Sequence, residues 1–257
     1  MASKNDNAMQ ARALAQQQVA KKERKSTIII VVASVLGIAL FAALIYFITD
    51  NSKVPALDAD GAVVPAGSDA TGGIPVGPTG IVGVDVPTDV PRVDIYEDFM
   101  CPACGKFEEI NSVDLNELRE ASKISVYYHP ITILDRYSNG TEFSTRAVNA
   151  VATVADRAPE SFHPYVEVLY ANQPAENTDG LTDEQLADFA VSVGVSQGVA
   201  DQIVDGDFRK WALGATDQAS QDGMQGTPTV MVDGEILDQN DVSYFTPGVL
   251  RNYLDSL

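Results

Sequence analysis

Cys101 and Cys104 are the only two cysteines in the chain, and they stand three residues apart as Cys-Pro-Ala-Cys. A strand-like run, Arg92 to Tyr96, leads into them, and a helix-like run, Lys106 to Glu120, leads out. One helical turn between the two puts the first sulfur at a helix N-terminus and the second within disulfide reach. Unsatisfied N–H groups and the positive end of the helix dipole stabilise a thiolate at that place. Pro102 suits a first helical turn, where its missing N–H costs nothing. The pair is therefore a candidate redox dithiol, open to thiol–disulfide exchange.

The surroundings of the pair follow from charge and hydropathy. The net charge is −19, unevenly spread: residues 1–25 carry six of the 17 basic and two of the 36 acidic residues, leaving 11 against 34 beyond. So acidic a body repels phosphate backbones, which argues against nucleic acid as a partner. Directly after the basic tail, Thr27 to Ile48 runs 22 residues without a charge. At 1.5 Å per residue a helix of that length crosses roughly 30 Å of hydrocarbon. The run is too long for a signal-peptide core, and Ile-Thr-Asp-Asn-Ser after it makes a poor cleavage site. Lys21, Lys22, Arg24 and Lys25 flank its N-terminal side, so the positive-inside rule places residues 1–25 in the cytoplasm and the rest outside. Disulfides form and persist there.

Six prolines from Pro55 to Pro91 and seven glycines from Gly61 to Gly83 then oppose a packed core. We read this stretch as a spacer. The expected organisation is a cytoplasmic basic tail (1–25), a transmembrane helix (26–49), a Gly/Pro-rich linker (50–79) and a folded domain (80–257), with Gly80 to Val84 as a first edge strand. Within that domain Arg92–Tyr96, the helix after Pro102 and Ile124–Tyr128 form a βαβ unit, with a kink in the helix expected at Asn111-Ser112. Helical spacing follows through Phe143–Val154 and Phe162–Tyr170. Thr182-Asp-Glu-Gln185 is a capping box ahead of Leu186, Phe189 and Val193. Shorter helices are expected over Val199–Ile203 and Phe208–Ala219, with Trp211 turned inward. Thr229–Val232, Asp233-Gly234 and Glu235–Leu237 read as a hairpin. A last helix is expected with Thr246 as N-cap, Pro247 in its first turn, and Leu250, Tyr253, Leu254 and Leu257 buried.

The order βαβ, helical block, ββα makes an α/β chain with a helical interruption at about 138–222. At this point the chain resembles the membrane-anchored DsbA-like thiol-disulfide oxidoreductases, through Asp98-Phe-Met-Cys-Pro-Ala-Cys104 and Gly226-Thr-Pro-Thr-Val230. Tyr128-His-Pro130, Ala171-Asn-Gln-Pro174 and Gly180-Leu-Thr-Asp183 extend the likeness over residues 80–257. The resemblance implies a thioredoxin fold with an inserted helical subdomain on the outer face of a bacterial cell membrane. It implies Cys101 as nucleophile and Cys104 as resolving thiol, supported by Pro102 and Ala103. Pro228 would be cis beside the disulfide, with Thr227 offering its backbone to a substrate strand. No cofactor beyond the Cys101–Cys104 disulfide is implied. The implied partners are exported cysteine-containing proteins and a quinone-linked membrane thiol oxidase that restores the disulfide.

Three departures modify these expectations. Ala103 stands where many family oxidases carry a thiolate-stabilising histidine, and Glu97 and Asp98 lie nearby, so a less acidic Cys101 is expected. Ile95 occupies the place, six before the first cysteine, where thioredoxin-like proteins often hold a buried acid; strand alternation turns Asp94 the other way. Proton transfer to Cys104 then needs water or another group. No cysteine is left for a second disulfide in the helical block. Among competing chemistries, a zinc site lacks a second cysteine pair. His129 and His163, each beside a proline, read as turn or surface residues, and nothing around them builds a hydrolase triad. Glu108-Glu109 and Asp183-Glu184 read as solvated helix faces.

Overall fold

A computed structural model of the chain describes Val32, residues 34–46, Leu57 and residues 63–257. Two compact units divide it, residues 1–53 and residues 54–257. In the first, helix α1 is described over residues 34–46. No helix among the described residues is long and apolar enough to cross a membrane. Both ends of the apolar run 27–48, and the basic tail, lie outside the described residues.

The second unit is built on a five-stranded mixed sheet in the order β1-β3-β2-β4-β5. Its strands are β1 (Ile74–Val76), β2 (Arg92–Glu97), β3 (Ser125–Pro130), β4 (Thr229–Val232) and β5 (Glu235–Ile236). β2 and β3 run parallel, with Ile95 beside Tyr128, and the remaining pairs are antiparallel. The parallel pair requires a crossover, which helix α2 (Pro102–Glu120) supplies. Ile95 is central, flanked by Tyr128 on one side and Val230 on the other, and is fully buried.

β1 corrects the expected linker. Ile74 and Val76 are fully buried and pair with Tyr128 and Val126. The segment is held further by Asp69, whose carboxylate accepts from Thr71, Gly73 and Arg92 at 2.7–2.9 Å. Proline and glycine there shape tight turns rather than a spacer. Gly80–Val84 forms no strand, only a single bridge between Val82 and Val76.

Between β3 and β4 lie α3 (Phe143–Arg157), α4 (Phe162–Ala171), α5 (Asp183–Ser192), α6 (Gln197–Ala200) and α7 (Arg209–Gln221). Their shared core holds Phe143, Phe162, Tyr165, Phe208 and Trp211, each at most 2% exposed. The Thr182 capping box is present, Thr182 and Gln185 each bonding the other's backbone N–H. In the β4–β5 turn Asp233 and Gly234 both take positive φ, 50° and 84°, the geometry that a two-residue hairpin favours.

The last helix, α8 (Val249–Leu254), starts later than expected. Gly248 is its N-cap at φ 76°, Pro247 precedes it, and Leu257 is exposed while Leu250 and Leu254 are buried. α2 runs unbroken through Asn111-Ser112. Asn111 donates to the Phe107 carbonyl in its own helix and to the Tyr244 carbonyl, so its amide ties α2 to the segment before α8.

Candidate active site

Strand β2 ends at Glu97, and the chain turns through Asp98–Met100 into α2. Cys101 is the N-cap of α2 in extended conformation, with Pro102 in the first turn. The Cys104 and Gly105 N–H groups close back on the Cys101 carbonyl at 3.0 and 3.2 Å. Both cysteines are free thiols and both are buried, Cys101 at 7% and Cys104 at 0% exposure. Across from them the Thr227–Pro228 peptide is cis. The Thr227 carbonyl accepts from Cys101 Sγ at 3.4 Å. The sequence-predicted residues Cys101, Pro102, Ala103, Cys104, Thr227 and Pro228 thus come to one place, although 126 residues separate Cys101 from Thr227.

The two thiols are electrostatically unlike. A hydrogen bond from the Cys104 thiol draws Cys101 down to about 6 against the burial that opposes it, with help from the Thr227 side chain and the Cys104 and Ala103 N–H groups. Burial pushes Cys104 well up, and its bond to Cys101 adds to that. Even with Ala103 in place of a histidine, Cys101 is lowered from the ordinary thiol value of 9.0. Helix-end N–H groups and the neighbouring thiol stabilise the thiolate without a histidine.

The acids near the pair do not behave as expected. Asp98 is fully buried; its carboxylate accepts from the Met100 N–H, the Ser144 hydroxyl and the Leu134 N–H at 2.7–3.0 Å. Burial nonetheless pushes it up to about 7. Glu97 is 1% exposed, and neither of its carboxyl oxygens has a hydrogen-bond partner among the described residues. Tyr170 lies close enough to lower its pKa somewhat without reaching hydrogen-bond geometry, but burial and then the nearby Glu108 push Glu97 well up. Glu108 is not on a solvated face: it is 6% exposed, and burial followed by Glu167 raises it to about 7. Its neighbour Glu109 is exposed and pairs with Lys106 at 2.9 Å. Glu184 is exposed as expected, whereas Asp183 receives Arg146 and Arg209.

Neither histidine is a surface residue. His129 is buried in β3, stacked on Tyr96, with Nε2 2.7 Å from Asp94 Oδ1. Asp94 in turn accepts from Arg92 Nε at 2.9 Å. This cluster uses the alternation that turns Asp94 away from Ile95. His163 is buried in α4, and burial, with Arg119 nearby, lowers it to about 4. No group of His, Cys, Asp and Glu among the described residues could hold a metal ion.

Sequence reasoning missed Gln173. Its side-chain amide donates to the Phe99 carbonyl at 3.1 Å and the Cys101 carbonyl at 2.9 Å, tying the segment after α4 to the active-site turn. Gly105 leaves room for it: a Cβ there would collide with the Gln173 side chain. The motif Ala171-Asn-Gln-Pro174 was the available signal. Beside this contact lies a groove of about 570 Å³, lined by Pro102, Gly105, Glu108, Glu167, Tyr170 and Gln173 among others.

The family model described as Thioredoxin matches residues 88–246. Crystallised DsbA from Mycobacterium tuberculosis is 26% identical, with a TM-score of 0.57, covering 72% of this chain and 98% of that one. MdbA of Actinomyces oris, a thiol-disulfide oxidoreductase, shares the fold at 22% identity and a TM-score of 0.60, covering 76% of this chain and 92% of its own. Among curated sequences, the serine/threonine-protein kinase PknE of Mycobacterium tuberculosis is 28% identical over 160 residues. That match takes in 59% of this chain but only 28% of the kinase.

Proposed function

The chain belongs to the thioredoxin family, and from that premise we propose that it is a membrane-tethered, extracytoplasmic thiol-disulfide oxidoreductase that introduces disulfides into exported proteins. One observation carries the reading: Cys101, lowered to about 6 at the N-terminus of α2, faces the Thr227 carbonyl while its partner Cys104 is buried and held protonated. A substrate thiolate attacks Cys101 Sγ of the disulfide, and the Cys101–Cys104 bond breaks. The resulting mixed disulfide is resolved by a second substrate thiol, which leaves the substrate oxidised and the dithiol reduced. A thiolate stable at neutral pH is a good leaving group and favours the reduced enzyme, the property of an oxidant. A quinone-linked membrane thiol oxidase would restore the disulfide. The tether rests on the apolar run Thr27–Ile48 and its basic flank.

A second reading, a reductase or isomerase at the same site, is favoured by Ala103 in place of the histidine of related oxidases. The full chain, oxidised, should accelerate refolding of a reduced disulfide-requiring protein, and its reduction potential against glutathione should be oxidising. No acceleration over Cys101→Ser would sink the oxidase reading, and a strongly reducing potential would favour the alternative. A disulfide that resists reduction, with no mixed disulfide trapped in Cys104→Ser, would leave a non-catalytic binding module.

A further inference from the structure

Breaking the Cys101–Cys104 bond leaves a negative charge on Cys104 in a fully buried position, and thiol–disulfide exchange alone supplies nothing to neutralise it. A buried, unpartnered charge is costly, so a proton must arrive as the bond breaks. The usual place for an acid on β2 is filled by Ile95. Three buried acids stand by the pair, of which Asp98 is already held by three donors. Glu97 ends β2 four residues before Cys101, fully enclosed, with both carboxyl oxygens unpartnered. Glu108 lies one helical turn after Cys104 on the same face of α2, buried, with Oε1 unpartnered. Glu97 acts electrostatically on Cys104, Cys101 on Glu97, and Glu108 on Glu97. A buried carboxylate without a partner is as costly as the buried thiolate, so leaving both oxygens bare makes sense for a carboxyl that carries a proton. Glu108 differs from Glu97 in lining the groove of about 570 Å³ that opens beside α2.

We propose that Glu97 is the proton donor to the departing Cys104 sulfur, and the acceptor of that proton in the reverse step, with Glu108 linking Glu97 to the solvent of the groove. Substrate thiolate gives its electron pair to Cys101 Sγ, and the substrate–Cys101 bond forms. The Cys101–Cys104 bond breaks, its electron pair goes to Cys104 Sγ, and that sulfur takes the Glu97 proton. Glu97 recovers a proton from solvent on the Glu108 side. The assignment rests on the thiol–disulfide chemistry proposed above but not on its direction, since one proton moves each way.

The other titratable groups around the pair set its working range. From α4, Tyr170 lies against Glu97 and Glu167 repels Glu108. From β3, Tyr128 is buried facing both acids. Tyr128 also feels Arg119 of α2 and packs edge-on to His163, which burial keeps neutral. Asp98, beside Glu97 in the chain, also acts on Tyr170. No cation is hydrogen-bonded or ion-paired to Glu97 or Glu108 among the described residues, so repulsion and burial keep the proton on the pair.

The test is reduction of the oxidised full chain by dithiothreitol from pH 5 to 9, quenched by alkylation and read by mass. After correction for thiol ionisation, the wild-type rate constant should fall as the acid pair loses its proton. Glu97→Gln should be slower by roughly a hundredfold at pH 6, the low end of general-acid catalysis, and should lose that fall. Glu108→Gln should slow reduction at pH 6 by about threefold or more, because the proton link to solvent is lost, and the fall should move to lower pH because the repelling neighbour is gone. Cys101 alkylation in the reduced variants should keep its wild-type midpoint, which a distorted active-site turn would move. Wild-type rates and pH profiles in both variants, folded by circular dichroism, would overturn the proposal and leave the oxidoreductase reading standing. If dithiothreitol does not reduce the wild-type Cys101–Cys104 disulfide at all, that reading falls, and this one with it.

Discussion

The Gln173 side-chain amide donates to the main-chain carbonyl of Cys101 at 2.9 Å, so a residue of the helical block holds the turn that presents the Cys101 sulfur. The same amide reaches the Phe99 carbonyl. The block is thereby part of the active site, since it fixes the backbone from which Cys101 projects.

Removing that amide should loosen the turn. Gln173→Ala removes two hydrogen bonds, each worth about 1 kcal/mol, although the Cys101 carbonyl keeps the Cys104 and Gly105 N–H groups. We expect a loss of roughly 1–2 kcal/mol, read as a lower denaturation midpoint in urea, with little change in the far-ultraviolet circular dichroism.

The acidity of Cys101 depends chiefly on the Cys104 thiol. Iodoacetamide should therefore alkylate the reduced chain with a midpoint near pH 6. In Cys104→Ala the donor is gone and the midpoint should move up, by roughly one unit or more. An unchanged midpoint would show that the helix end alone sets the acidity.

Glu108 makes stability fall with rising pH. Its folded pKa, about 7, lies above the ordinary carboxylate value, 4.5. The folded state therefore binds the extra proton between those limits, and stability declines as pH rises from about 4.5 to 7. Asp98, raised from 3.8 to about 7, works in the same direction. Glu108→Gln should remove its part of the decline. The variant should exceed wild type on the order of 3 kcal/mol at pH 8 and match it near pH 4, as read by urea unfolding at the two pH values.

The folded unit needs its β1 segment. A chain beginning at residue 80 lacks Ile74 and Val76, both fully buried, and the Asp69–Arg92 pair at 2.7 Å. Burial of each aliphatic side chain contributes about 1.5–3 kcal/mol. Residues 63–257 should melt cooperatively, whereas residues 80–257 should melt at a much lower temperature or not fold, as seen by differential scanning calorimetry.

The sequence carried the frame of the fold because its signals there were local. The Cys-Pro-Ala-Cys turn, the Thr182 capping box and the Asp233-Gly234 hairpin each depend on a few adjacent residues, and each forms in the structure. Glu97 and Glu108 were not readable as buried acids, since a glutamate in a helix or at a strand end carries no mark of what will pack over it. The enclosure of Glu97 comes from α2 and α4, and α4 lies more than 60 residues further along the chain. His129 misled for a related reason: its place beside Pro130 looks like a turn, yet β3 runs through both, and the Asp94 partner lies 35 residues away. The Pro- and Gly-rich stretch before residue 80 was misread because composition cannot distinguish a spacer from a segment held by one aspartate and two buried aliphatics.

Both edges of the sheet are short, three residues in β1 and two in β5. A long open edge pairs readily with any extended chain and seeds aggregation. An oxidoreductase of exported, still unfolded chains, the function proposed above, would meet that hazard at every encounter. Edges this brief provide no template for such pairing, so on the proposed function a visiting chain would have little to bind there and would be left the backbone at Thr227, beside the Cys101 sulfur.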